Sequence, residues 1–137
     1  MISASVEVRV RYAETDKMGI VYHANYLTWF EIARIELLDK IGCSYLSLEN
    51  AGFFLPVLSC RVDFRKPAQF DDRLRIDARI DTASSVRMEA EYEVFRDVDL
   101  LATGQTVHAF VSGEGKVVRP PPYFLERIRK GAEDPER

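Results

Sequence analysis

Asp16, Gly19 and His23 fall in one short run, Thr15-Asp16-Lys17-Met18-Gly19-Ile20-Val21-Tyr22-His23, immediately ahead of a long apolar segment. A carboxylate in such a place attacks a carbonyl or takes a proton from water, and an imidazole titrating near neutral pH orients water or the carboxylate. The start of a following helix adds unpaired backbone N–H groups and the positive end of the helix dipole, which stabilise an oxygen gaining negative charge. Asp16 is therefore the candidate nucleophile or general base, with the two roles left open. Gly19 gives the backbone either a positive φ or a close approach to a ligand.

The elements around this run follow from periodicity. Val6, Val8, Val10 and Tyr12 alternate with Ser5, Glu7, Arg9 and Arg11, the period of a strand with one buried face. Tyr26, Trp29, Phe30, Ala33, Leu37 and Ile41 recur at helical spacing over 24–41, and Gly42 is placed to end that helix. Leu27, Ile32, Ile35 and Leu38 widen the apolar surface beyond one stripe, so cover on more than one side is expected. A short helical turn is expected over 45–50, then a strand over 55–64 and alternating runs over 74–80 and 86–94. Asp97-Val98-Asp99 reads as a turn into a strand over 100–112, and Gly113-Glu114-Gly115 as a hairpin into 116–118. Pro120 to Pro122 ends the sheet ahead of a short helix, and 131–137 reads as a frayed tail of a single domain over 1–137. Strand, long helix and then four or five strands make an α+β chain with the helix on an antiparallel sheet.

Further residues near the run have more than one use. Tyr22 and Asn25 are candidates to line a substrate channel, and Asn25 also to cap the helix. Glu31 lies one to two turns into the helix, with Arg34 available as a pairing partner three residues on. His108, in an expected strand, reads as a packing or edge residue.

Composition narrows the classes. A net charge of -3 disfavours a broad nucleic-acid surface, yet leaves room for a local anion site. No apolar run approaches the roughly 20 residues of a membrane helix, and the N-terminal stretch lacks a basic start and apolar block, so a cytosolic location is expected. Cys43 and Cys60 have no metal or redox spacing and read as buried free thiols. No metal or cofactor is expected. The chain has no Walker lysine pattern, no dinucleotide glycine fingerprint and no Gly-x-Ser-x-Gly elbow.

The pattern Thr15-Asp16-x-x-Gly19-x-Val21-Tyr22-His23-x-x-Tyr26 resembles the active-site region of the hotdog-fold acyl-CoA thioesterases of the 4-hydroxybenzoyl-CoA thioesterase family. The likeness extends over about 6–123, with Leu55-Pro56-Val57 and Pro67-Ala68-x-x-Asp71-Asp72 as looser support. Histidine at position 23, where the aryl-CoA branch has an aromatic residue, agrees with the branch encoded with the Tol-Pal envelope genes. The resemblance implies a hotdog fold, an antiparallel sheet wrapped around one long central helix. It implies hydrolysis of an acyl- or aroyl-CoA, with Asp16 as the catalytic carboxylate and the His23 amide polarising the thioester carbonyl. Glu31 matches an acid that contacts substrate in the aryl-CoA branch.

For the phosphates of coenzyme A, Arg65, Lys66, Arg87, Lys116 and Arg119 are candidates by charge. Thr82-Ala83-Ser84-Ser85 stands where the aryl-CoA branch is strongly basic, so only Lys116 and Arg119 match that family's contacts. A homodimer pairing into a tetramer, with sites at subunit boundaries, is also implied. Two other readings use the same residues. One is a thioester hydratase or dehydratase with Asp16 and His23 as an acid/base pair, and the other a non-catalytic module binding acyl-CoA or acyl-carrier protein.

Overall fold

The computed structural model describes residues 2–80 and 87–133. Five strands, β1 (Ile2–Arg9), β2 (Val57–Phe64), β3 (Arg73–Ile80), β4 (Arg87–Arg96) and β5 (Asp99–Ala109), form one antiparallel sheet in the order β1-β3-β4-β5-β2. Helix α1 (Asn25–Lys40) crosses it, α2 (Tyr45–Asn50) follows, and α3 (Pro122–Glu133) closes the chain. This is the expected α+β hotdog arrangement. The 82–85 segment and residues 134–137 lie outside the described residues, and Gly131 belongs to α3, packed closely on Ile2.

The alternating sequences do what their period demands. In β3, Leu74, Ile76, Ala78 and Ile80 are buried, and in β4 Met88, Ala90, Tyr92 and Val94. These side chains meet Trp29, Phe30, Ala33 and Leu37 of α1 in one core. Phe30 lies flat on Tyr92 with ring centroids 4.4 Å apart, and it fits because β5 carries Gly104 beneath it. A Cβ at Gly104 would come within 2.3 Å of the Phe30 ring. Gly42 ends α1 as expected: its N–H reaches Asp39 O, and that of Cys43 reaches Leu38 O, the paired bonds of a Schellman cap.

Two expectations change. The sheet of one chain covers only one side of α1: Leu27, Ile32 and Ile35 remain 37%, 43% and 36% exposed. Strand β2 forms one edge of the sheet, and its residues are exposed on both faces apart from half-buried Val62. Cys60 lies on that strand and is exposed, not buried, while Cys43 is buried and its thiol is pushed up by desolvation. Among the described residues no helix is long and apolar enough to cross a membrane.

Candidate active site

Between β1 and α1 the chain makes a turn of 3-10 helix (Tyr12–Glu14) and then doubles back. The Asp16 N–H bonds Ile20 O at 2.8 Å, Gly19 N–H bonds Asp16 O at 3.0 Å, and Thr15 pairs with Val21. Gly19 takes φ 81° with open space around its Cα, so positive φ is what the turn requires of it within this chain. Inside the turn, Asp16 Oδ1 accepts from the Met18 N–H at 2.9 Å. That bond fixes the carboxylate. Among the described residues its other oxygen, Oδ2, has no hydrogen-bond partner.

The returning arm brings His23 to the start of α1. The N-cap is Ala24, with no side-chain cap, so Asn25 does not cap the helix. Asn25 instead donates its side-chain amide to Glu14 O at 2.8 Å, which also takes the Tyr22 N–H at 2.8 Å. Asn25 and Tyr26 bond back to Tyr22 O and His23 O, whereas the His23 N–H enters no hydrogen bond among the described residues. A free donor at the positive end of α1 is suited to an oxyanion.

Asp16 and His23 line one pocket of about 460 Å³, together with Met18, Ile20, Tyr26, Phe64 at the end of β2 and the 65–67 stretch that follows it. Its walls are held from both sides. Ile20 pairs with Gln69, and Val21 N–H bonds Ala68 O at 2.8 Å. Asp72 fixes the 67–69 bend by accepting from Gln69 N–H and from Arg96, both at 2.8 Å. Tyr26 packs edge-on against Phe64 at 4.9 Å, and burial pushes its phenol up. The pocket lining thus brings Asp16 and His23 together with an apolar wall, and two cations, Arg65 and Lys66, belong to it as well.

Other candidates fall elsewhere. Tyr22 is exposed, its ring centroid 4.5 Å from that of His23, and does not line the pocket. Glu31 is exposed and forms no pair with Arg34, which is buried and donates to the Tyr92 hydroxyl instead. Lys116 and Arg119 are exposed in and after the terminal hairpin, away from the pocket lining. His108 is a core residue, bonded to Leu55 O and Thr106. Among the described residues no cluster of ligating side chains fits a metal ion. Sequence patterns missed Glu14, a carboxylate only 5% exposed; no period signals it, though its place two residues before Asp16 is a hint.

A five-stranded antiparallel sheet against one long helix, with Asp16 and His23 lining one pocket at the start of that helix, defines a hotdog-fold enzyme of the thioesterase class. Residues 10–128 match the thioesterase-like superfamily, and the chain belongs to it. The crystal structure of DHNA-CoA thioesterase from Staphylococcus aureus is similar at TM-score 0.91 and 33% identity, covering 97% of this chain and 93% of that one. A 1,4-dihydroxy-2-naphthoyl-CoA thioesterase structure from Synechocystis gives TM-score 0.84 and 29% identity over 93% and 96% of the two chains. Acyl-CoA thioesterase YbgC of Haemophilus influenzae is 31% identical over 99 residues, 72% of this chain and 73% of that one.

Proposed function

We propose that this enzyme hydrolyses an acyl- or aroyl-CoA to the carboxylic acid and free coenzyme A, with Asp16 as catalytic carboxylate and the His23 amide as oxyanion donor. The observation that carries the reading is that the Asp16 carboxylate and the donor-bearing His23 segment line the same pocket. As the C–O bond forms, by attack of water that Asp16 deprotonates or of Asp16 itself, the carbonyl oxygen gains charge facing the His23 N–H, and the C–S bond then breaks to release the thiolate. In the first route the thiolate takes the proton that Asp16 removed from water; in the second, water then cleaves the acyl–Asp16 anhydride, releasing the carboxylic acid and restoring Asp16, and supplies the thiol proton. An amide donor of this kind contributes roughly 10²- to 10³-fold in turnover. The His23 imidazole orients the water, and its presence instead of an aromatic residue favours the Tol-Pal-associated branch.

The active form we propose is a dimer, pairing further into a tetramer. Strand β2, exposed along an edge, and the bare face of α1 at Leu27, Ile32 and Ile35 support an assembly that covers them. In such an assembly Lys116 and Arg119 serve a neighbour's site as phosphate contacts. Sedimentation giving only the monomer mass would overturn this part. The proposal also puts the enzyme in the cytosol, checked by fractionation.

Thiol release from short, long and aromatic acyl-CoAs, compared between the native protein and Asp16→Asn, tests the chemistry. Release that disappears in the folded variant supports it. Loss of enoyl-CoA absorbance without thiol release would instead make the enzyme a hydratase, and saturable binding without turnover a binding module.

A further inference from the structure

We infer that Glu14 is the positioning residue of this site, holding the Asp16 carboxylate and the His23 amide in fixed relation to each other; the inference rests on the catalytic reading of those two groups. Glu14 is almost wholly buried, yet each of its oxygens is used. Oε1 accepts from the Arg11 N–H at 2.7 Å, with Arg11 Nε at 3.5 Å, and Oε2 accepts from the Trp29 indole N–H at 3.1 Å. Its carbonyl accepts twice more, from Tyr22 N–H and from the Asn25 side chain, each at 2.8 Å.

These bonds join four places in the chain. Arg11 closes the turn after β1, Trp29 lies in the body of α1, and Tyr22 and Asn25 bracket His23. Asp16 is two residues downstream of Glu14 in the same loop. The side chain therefore anchors the arm that carries the carboxylate to the body of the helix, and the carbonyl anchors the arm that carries the amide. Among the described residues every group bonded to the carboxylate is a donor only, so both oxygens must be acceptors. An amide in place of Glu14 would set an NH₂ group against the Arg11 or the Trp29 N–H. Separation of the two reacting groups is what catalysis depends on: a misplacement of about 1 Å can cost roughly 10²-fold in rate.

Trp29 is the only tryptophan of the chain, so its emission reports the clamp directly. The test compares native protein, Glu14→Gln, Trp29→Phe and Asp16→Asn. It records the amide resonances of Met18 and His23, tryptophan emission, thermal midpoint, and kcat and KM on whichever acyl-CoA the native protein cleaves fastest. Glu14→Gln is expected to shift the Trp29 emission and move the Met18 and His23 amide resonances. Its kcat should fall about 10²-fold with KM changed only a few-fold. Should Glu14→Gln fail to fold, Trp29→Phe keeps an aromatic ring in the core while removing the indole donor and part of the ring volume, and a smaller fall in kcat with the same resonance shifts is expected.

Unmoved Met18 and His23 resonances, or an unchanged kcat in a folded variant whose emission has shifted, would overturn the inference and leave Glu14 as a packing residue. Full activity of Asp16→Asn would instead overturn the catalytic reading, and the resonances would still decide whether Glu14 positions the loop.

Discussion

The Arg34 guanidinium donates to the Tyr92 hydroxyl at 3.0 Å, and that bond sets the direction of a buried chain of hydrogen bonds beneath α1. Since an arginine N–H can only donate, Tyr92 turns its own O–H to Thr106 Oγ1 at 2.7 Å. Thr106 in turn donates to His108 Nε2 at 2.9 Å, and His108 donates from Nδ1 to the Leu55 carbonyl at 3.2 Å. The carbonyl can only accept, so Nδ1 carries a proton, and burial with Arg34 nearby keeps the ring neutral, leaving Nε2 free to accept. A charged ring would reverse the Thr106 bond and strand the Tyr92 proton.

Tyr92→Phe keeps the ring that Phe30 stacks on and removes the middle of this chain. Arg34 then loses an acceptor, and Thr106 loses a donor, in a region closed to water. Stability should drop by about 1–3 kcal/mol, the cost of leaving a buried polar group unmatched. Urea unfolding of the variant checks it; a loss within about 0.5 kcal/mol, as at an ordinary surface site, would mean the chain contributes nothing.

The same chain predicts a pH dependence. Burial, with the Arg34 charge nearby, lowers the His108 pKa from 6.5 to about 4. The unfolded ring therefore binds a proton at a pH where the folded ring does not, so stability falls as pH drops through that interval. The contribution is complete above about 6.5 and gone below about 4, on the order of 3 kcal/mol in all at about 1.4 kcal/mol per pH unit. Urea midpoints measured between about pH 5 and 7, above most carboxylate titrations, should rise with pH in the native protein. They should be flatter in a folded His108→Gln variant; equal slopes would remove His108 as the cause.

Much of the frame was legible because one-sided burial imposes a period. The alternation of β1, β3 and β4 and the spacing of Tyr26, Trp29, Phe30, Ala33 and Leu37 pointed to the sheet and to α1, found at Asn25–Lys40. Asp16 and His23 were legible as neighbours of a helix start. Glu14 was not, since its burial depends on donors at Arg11 and Trp29 that only the folded loop brings together. Nor was the place of Arg65 and Lys66 beside Asp16. It follows from the contact of the 68–69 stretch with Ile20 and Val21, far away in sequence, while their charge alone was shared with Lys116 and Arg119.

Gly19→Ala tests how far the site depends on its turn. At φ 81° a Cβ is strained by about 1–2 kcal/mol whatever the space around it, and the space here is open. The fold should survive that cost, with the thermal midpoint lowered by several degrees. Relief of the strain would move Asp16, whose backbone closes the turn with the Gly19 N–H. On the proposed mechanism kcat should fall at least about tenfold. Native kcat in the variant would show that the carboxylate does not need this loop geometry.

Arg65 and Lys66 make the last prediction, since a coenzyme A thioester carries several phosphate charges and these two cations line the pocket beside Asp16. Lys66 is already engaged, its ammonium 3.3 Å from Asp99, whereas Arg65 is exposed and has no ion-pair partner among the described residues. Arg65 should therefore contribute more to carrier binding than Lys66. An exposed pairing with phosphate is worth little at high ionic strength, because charges are screened beyond about 10 Å at 0.1 M salt. Arg65→Gln is thus expected to raise KM several-fold at low salt with kcat nearly unchanged, and the difference from the native protein should shrink as salt is added. Lys66→Gln should give a smaller rise. A KM unaffected by either change at low salt would shift the phosphate contacts to Lys116 and Arg119 of a neighbouring subunit, and the corresponding Lys116→Gln and Arg119→Gln proteins would then carry the salt-dependent loss.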